Sequence, residues 1–173
     1  MTLFTAAQFA RHLEQVAKRL GPVAHANSIL HGAMIRSCVL VQRTAQDRLG
    51  EYHQATGPYA AWQQLAEPTQ AERARLGFAP NKPLLRTGDL GYSIEFTIIG
   101  NVGNVGSDSP IAVYQELGTR SIPARSFVGA AAFICEPQVR KIFVNAIVRA
   151  FTVAPPGSMD LSGLGRPAEI LRP

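Results

Sequence analysis

Apolar residues recur at helical spacing in three stretches of the chain and alternate with polar ones in a fourth. Near the N-terminus Phe9, Leu13, Val16, Ala17 and Leu20 share one helical face, while Arg11, Glu14, Gln15 and Lys18 fall mostly elsewhere. Thr5 and Gln8 have capping-box spacing, Phe4 and Phe9 have the spacing of a hydrophobic staple, and Gly21-Pro22 ends the helix. A second helix is expected from Asn27 or Ser28 to Gly50, along a seam of Leu30, Met34, Cys38, Val41, Ala45 and Leu49. At ~1.5 Å per residue it would be about 33 Å long, the expected spine of the domain.

From Glu51 to Lys82 the periodicity fades and breakers appear at Gly57-Pro58, Pro68, Gly77 and Pro80, with a short helix expected over Thr69–Leu76 and capped by Thr69. Structureless excursions of this length are uncommon in compact domains. Tyr52, Tyr59, Trp62 and Phe78 mark the segment as one that docks, either onto its own domain or at a subunit contact. Residues Ser93 to Ile99 alternate Ile94, Phe96 and Ile98 with Ser93, Glu95 and Thr97, the period of a half-buried strand. Gly100-Asn101 is the expected turn, Val102 to Ser107 the returning strand, and the long helix the surface beneath the hairpin.

Downstream, Pro123 suits the first turn of a helix through Phe127, Val128, Ala131 and Phe133, and Pro137 restarts or kinks it. Val139, Ile142, Phe143, Ala146, Ile147 and Ala150 then form a second amphipathic helix. Together these elements predict an α+β domain over residues 1–151: a long N-terminal helix packed on a small antiparallel sheet, with flanking C-terminal helices. Residues 152–173 hold four prolines and three glycines without sustained periodicity, which reads as a disordered tail or as an arm laid across a neighbour.

Composition adds one point to this picture. With 46% hydrophobic and only 17% charged residues, the chain is apolar enough for a core and low in charge for a soluble monomer, so partners are expected to cover part of its surface. A net charge of +5 and a pI near 9.7 fit a nucleic-acid partner. The bases are nonetheless scattered, from Arg11, Lys18 and Arg19 through Arg36, Arg43 and Arg48 to Arg140, Lys141 and Arg149, as on solvated helix faces. Cys38 and Cys135 lie far apart without metal spacing, so buried free thiols in a reducing compartment are expected. No basic region precedes an apolar run at the N-terminus, and no stretch approaches the ~18 apolar residues of a membrane span. The protein is expected in the cytoplasm when made, without membrane contact.

The motifs of catalysis are missing. Gly100, Gly103 and Gly106 recur every third residue and are followed by Asp108-Ser109-Pro110, which suits neither a P-loop nor a dinucleotide fingerprint. His12, His25, His31 and His53 show no helical metal spacing, and no G-x-S-x-G elbow surrounds a serine. The sequence therefore predicts no enzyme: no catalytic residue, no cofactor and no metal.

The most distinctive texture is a series of short motifs: Leu85, Thr87, Gly88, Leu90, Ser93 and Ile94; Val105-Gly106-Ser107; Ala112, Tyr114, Glu116, Gly118 and Thr119; and Pro123, Ala124, Arg125 and Phe127. Trp62, Leu65 and Thr69 precede them. In this order and spacing the series resembles the tail-completion and neck proteins of long-tailed bacteriophages, including the phage virion morphogenesis group. The resemblance runs from about Trp62 to Ala132 and departs at Ile111, where the family has an aromatic residue.

The resemblance implies a structural protein of the virion, made in the host cytoplasm and placed at the head-to-tail junction. Its copies would form a six-fold or twelve-fold ring that docks to portal-side connector and tail-tube or tail-terminator proteins, with DNA only as cargo in the channel. Trp62, Leu85, Thr87, Gly88, Leu90, Tyr114, Glu116, Gly118, Thr119, Pro123, Arg125 and Phe127 would carry the interaction or structural motif. By their own chemistry, Gly88 and Gly118 permit turns closed to other residues, and the Arg125 fork suits a carboxylate such as Glu116, within the domain or between subunits. The alternative, motivated by the charge, is a basic nucleic-acid-binding accessory protein of a phage.

Overall fold

The structure, a computed structural model, describes residues 6–21 and 28–152, with residues 6–9 described by backbone alone. The expected capping box and staple at Phe4, Thr5, Gln8 and Phe9 lie outside the described side chains, as does the arm at 153–173. The described chain is α+β: six helices and one two-stranded antiparallel sheet.

Helix α1 spans Ala6–Leu20 and buries Val16. Helix α2, Ile29–Asp47, begins at Ser28, whose side-chain oxygen accepts from the His31 backbone N–H at 2.9 Å. At 19 residues it is about 28 Å long, yet the longest helix is the C-terminal one. Helix α6 runs unbroken over Val128–Thr152, 25 residues, with Pro137 inside it. The expected restart at Pro137 is therefore not made. A proline removes its own N–H from the helix ladder and crowds the carbonyl four residues back, yet α6 stays continuous where it packs along α2.

Helices α2 and α6 pack against each other, and the side chains they bury are mostly small. Ala33, Ser37, Cys38 and Ala45 are buried on α2, and Ala130, Ala131, Cys135, Ala146 and Ala150 on α6. Cys135 Sγ donates to Thr44 Oγ1 across the seam at 3.2 Å. Both cysteines are buried free thiols, and burial pushes the Cys38 thiol pKa upward. No helix among the described residues is long and apolar enough to cross a membrane.

Strands β1, Ile94–Ile99, and β2, Val102–Ser107, pair in the predicted register, Ile99 opposite Val102, around Gly100-Asn101. Gly103 marks the face that meets α2, since a Cβ there would lie 2.6 Å from Cys38 Sγ and 2.7 Å from Met34 Sδ. Glycine thus lets the hairpin sit directly on the helix. Gln42 Nε2 donates to the Ile94 carbonyl at 2.7 Å and fixes the strand along α2.

Four elements differ from the sequence expectation. Helix α3 covers Glu67–Arg75 and has Pro68 in its first turn, so Pro68 starts the helix that Thr69 was expected to cap. Asp89–Tyr92 forms a short helix, α4, ahead of β1, and Pro110–Leu117 forms α5, a helix not expected from the sequence. Helix α6 begins at Val128, so Pro123 lies in the preceding loop. One apolar cluster joins these parts: Ala45, Leu49, Trp62, Ile94, Ala112, Phe127 and Ala131.

Candidate functional site

The site forms where the chain doubles back between α5 and α6. Ser109 and Pro110 start α5, and Gly118 ends it at φ +74°. A Cβ on Gly118 would lie 2.8 Å from Ala124 N and 3.0 Å from the Ile122 carbonyl, so both the backbone angle and the space require glycine. Thr119 closes the loop: its N–H donates to the Ile122 carbonyl at 2.8 Å and its Oγ1 accepts from Ile122 N at 3.0 Å. Arg125 N donates to the Gln115 carbonyl at 2.7 Å, clamping the returning chain to α5.

This turn aims Glu116 at the start of α6. Its Oε2 accepts from Phe127 N at 2.8 Å and Val128 N at 3.0 Å, and its Oε1 from Gly129 N at 2.9 Å and from the Ser126 hydroxyl. Ser126 Oγ in turn accepts from Ala130 N at 3.2 Å. The first intrahelical bond runs from Ala131 N to the Phe127 carbonyl, so the four N–H groups from Phe127 to Ala130 are those a helix start leaves unpartnered. One carboxylate and one hydroxyl satisfy all four, and the negative charge sits at the positive end of the α6 dipole.

The Glu116–Arg125 ion pair expected from the sequence does not form. Glu116 is spent on the α6 backbone, and the Arg125 fork instead donates through Nε and Nη2 to the Gln63 carbonyl, at 3.3 and 3.0 Å. Arg125 is only 4% exposed. Burial lowers its pKa, with the neighbouring charge of Arg73 acting in the same direction.

Trp62 makes the second tether of the 51–82 excursion. It is buried, its indole N–H donates to the Ser126 carbonyl at 3.3 Å, and its ring stands edge-on to His53 at 4.9 Å. The Arg48 guanidinium lies 5.5 Å from the Trp62 ring centre. Burial lowers the Arg48 pKa, and the Glu116 charge opposes that shift. Tyr52 donates to Asn81 Oδ1 at 2.6 Å and accepts from Leu65 N at 3.0 Å. The bonds of Trp62 to Ser126 and of Arg125 to Gln63 therefore dock the excursion onto its own domain, while Tyr52 ties the excursion to itself.

Of the residues singled out in the sequence, Trp62, Glu116, Gly118, Thr119, Pro123, Arg125 and Phe127 converge on this turn. Leu85, Thr87, Gly88 and Leu90 form a separate group ahead of the hairpin. Thr87 Oγ1 donates to Asp89 Oδ2 at 2.6 Å, Gly88 turns the chain at φ +97°, Leu90 packs on the core, and Leu85 covers Gly50. Tyr114 stands apart, exposed on α5. Sequence reasoning missed Ser126, Arg48, His53 and Gln63. Ser126 alone had a local signal, a serine just ahead of an apolar helical run.

Among the described residues no three His, Cys, Asp or Glu side chains converge as metal ligands. The chemistry on view is that of a rigid joint, in which buried polar groups are spent on backbone. No protein-family model, curated protein or solved structure matches this chain.

Proposed function

We propose that this chain is a non-enzymatic structural protein of a tailed bacteriophage virion, acting at the head-to-tail junction by ring assembly and docking to neighbouring connector or tail proteins. The observation that supports this reading is the hairpin. Among the described residues its two strands pair only with each other, so each has an outer edge unpaired by another strand, and its tip carries Ile99 at 70% and Val102 at 58% exposure. Exposed strand edges are templates for pairing with another chain. Helix α5 adds Ile111, Val113, Tyr114 and Leu117, all exposed. A heterologous contact between such surfaces gives a ring when the rotation between copies closes.

A nucleic-acid-binding role rests on net charge. Two of the scattered bases, Lys18 and Arg140, are held by Glu14 and Glu136 one helical turn away, which leaves less charge for phosphates. The deciding experiment is electron microscopy of particles from a phage lacking this gene. Separate filled heads and finished tails are expected; intact infectious particles would overturn the reading.

A further inference from the structure

An open groove of about 590 Å³ lies beside the Arg125 tether, between α3, the 83–90 segment, α5 and the 119–125 loop. Three arginines line it, Arg73, Arg86 and Arg125, against a single lining carboxylate, Asp89, whose Oδ2 is already held by Thr87. Arg86 has a loose partner outside the lining, Glu72 at 3.7 Å. Arg73 donates one nitrogen to the Lys82 carbonyl and Arg125 is held by the Gln63 carbonyl, and among the described residues no carboxylate is bonded to either guanidinium.

Two further features mark the groove as more than a basic patch. Gln115, on its α5 wall, holds a buried side-chain oxygen that has no hydrogen-bond partner among the described residues. Buried acceptors without partners are uncommon. Leu84, on the opposite wall, is the one non-glycine described residue in the left-handed region, at φ +58°. Such strain in a bulky residue collects at binding sites.

We infer that this groove receives an acidic, extended segment of a protein partner, whose carboxylates meet Arg73, Arg86 and Arg125. Arginine forks match carboxylates in pairs of parallel hydrogen bonds, and the apolar walls at Leu84 and Ile111 suit the side chains between them. The like-charge pressure fits an anion as well, since after burial the main influence lowering the Arg73 pKa is Arg86. Duplex DNA suits the site less. Arg125 is recessed at 4% exposure, and phosphates on a rigid duplex follow outward-facing tracks of bases. The assignment does not depend on the head-to-tail reading, because it rests on the groove alone.

The test is fluorescence anisotropy on the full chain with a labelled hexaglutamate peptide, a labelled hexalysine peptide and a short labelled DNA duplex. Hexaglutamate should bind and hexalysine should not. Arg86→Glu, at an exposed position, should weaken hexaglutamate binding at least tenfold with an unchanged melting curve. Arg43→Glu makes the same change in net charge on exposed α2 surface outside the groove and should leave binding within twofold. Arg125→Gln should also weaken binding, but its lost tether to Gln63 makes Arg86→Glu the deciding variant. Absence of hexaglutamate binding, equal loss from Arg43→Glu and Arg86→Glu, or tighter binding of the duplex that Arg86→Glu abolishes would each overturn the inference.

Discussion

Glu116 Oε2 lies 2.8 Å from the Phe127 backbone nitrogen, so a side chain at the end of one helix supplies the missing hydrogen-bond acceptor at the start of another. Phe127 is fully buried, and its backbone N–H has no route to solvent without this bond or a rearranged turn. Glu116→Ala should therefore destabilise the chain by about 3 kcal/mol, a charge-assisted bond lost plus unpaired donors left behind. Glu116→Gln keeps an acceptor oxygen and should cost about half as much. Urea denaturation of both variants checks the order; equal stability of Glu116→Ala and the parent chain would remove the cap from the account.

Gly118→Ala should cost about 2 kcal/mol or more, since it combines a positive φ with a backbone clash at Ala124. The thermal melting temperature should fall while the far-ultraviolet helix signal below the transition stays intact.

Pro137→Ala should act in the opposite direction. Pro137 is exposed inside α6, and a proline in a helix interior costs about 3 kcal/mol relative to alanine before local relaxation. An increase in stability of about 1–2 kcal/mol is expected from the same denaturation experiment. A decrease would mean that the geometry at Pro137 is needed to keep α6 against α2.

Alkaline pH should weaken the fold through Cys38. Burial raises its thiol pKa, so above the unfolded value the unfolded chain ionises while the folded chain keeps the proton. Stability is full below the unfolded pKa and is lost as pH rises from there through the folded pKa, a window that opens at about pH 8.5. The urea midpoint should fall across that window less steeply in Cys38→Ala than in the parent chain.

Ile99→Lys with Val102→Glu, an opposite-charge pair across the hairpin, tests the assembly proposal. Both side chains are exposed at the hairpin tip, so the melting temperature should barely change, within about 0.5 kcal/mol of stability. Complementation of the gene-deleted phage should be lost. Full complementation would exclude the tip from any essential contact.

The legible parts of this chain were those encoded locally. Ser28 starts α2 through its own hydroxyl, and the Ile94-Phe96-Ile98 alternation with Gly100-Asn101 was enough to fix the hairpin register. Helix α5 was missed because Ile111 and Val113 favour strands and Gly118-Thr119 reads as a turn, while the helical cue, Pro110 in the first turn, stands alone. The start of α6 was placed too early for a related reason. Pro123 suits a helix start, but the long-range bonds of Arg125 to Gln115 and Gln63 hold its segment in a loop. The spacing of Glu116 and Arg125 suggested a mutual ion pair because sequence displays charges and not the unpartnered backbone groups that took Glu116.

The small residues along the α2–α6 seam reverse the usual map of tolerance. Among the described residues the largest fully buried side chains are Phe127, Ile94 and Pro83, whereas the two longest helices bury mainly Ala33, Ala45, Ala130, Ala131, Ala146 and Ala150. Trimming a side chain there removes almost nothing, whereas each added methylene must wedge two backbones apart. Random substitution should find this protein least forgiving where its residues are smallest, and a screen for loss of folding should return gains in volume along those two helices.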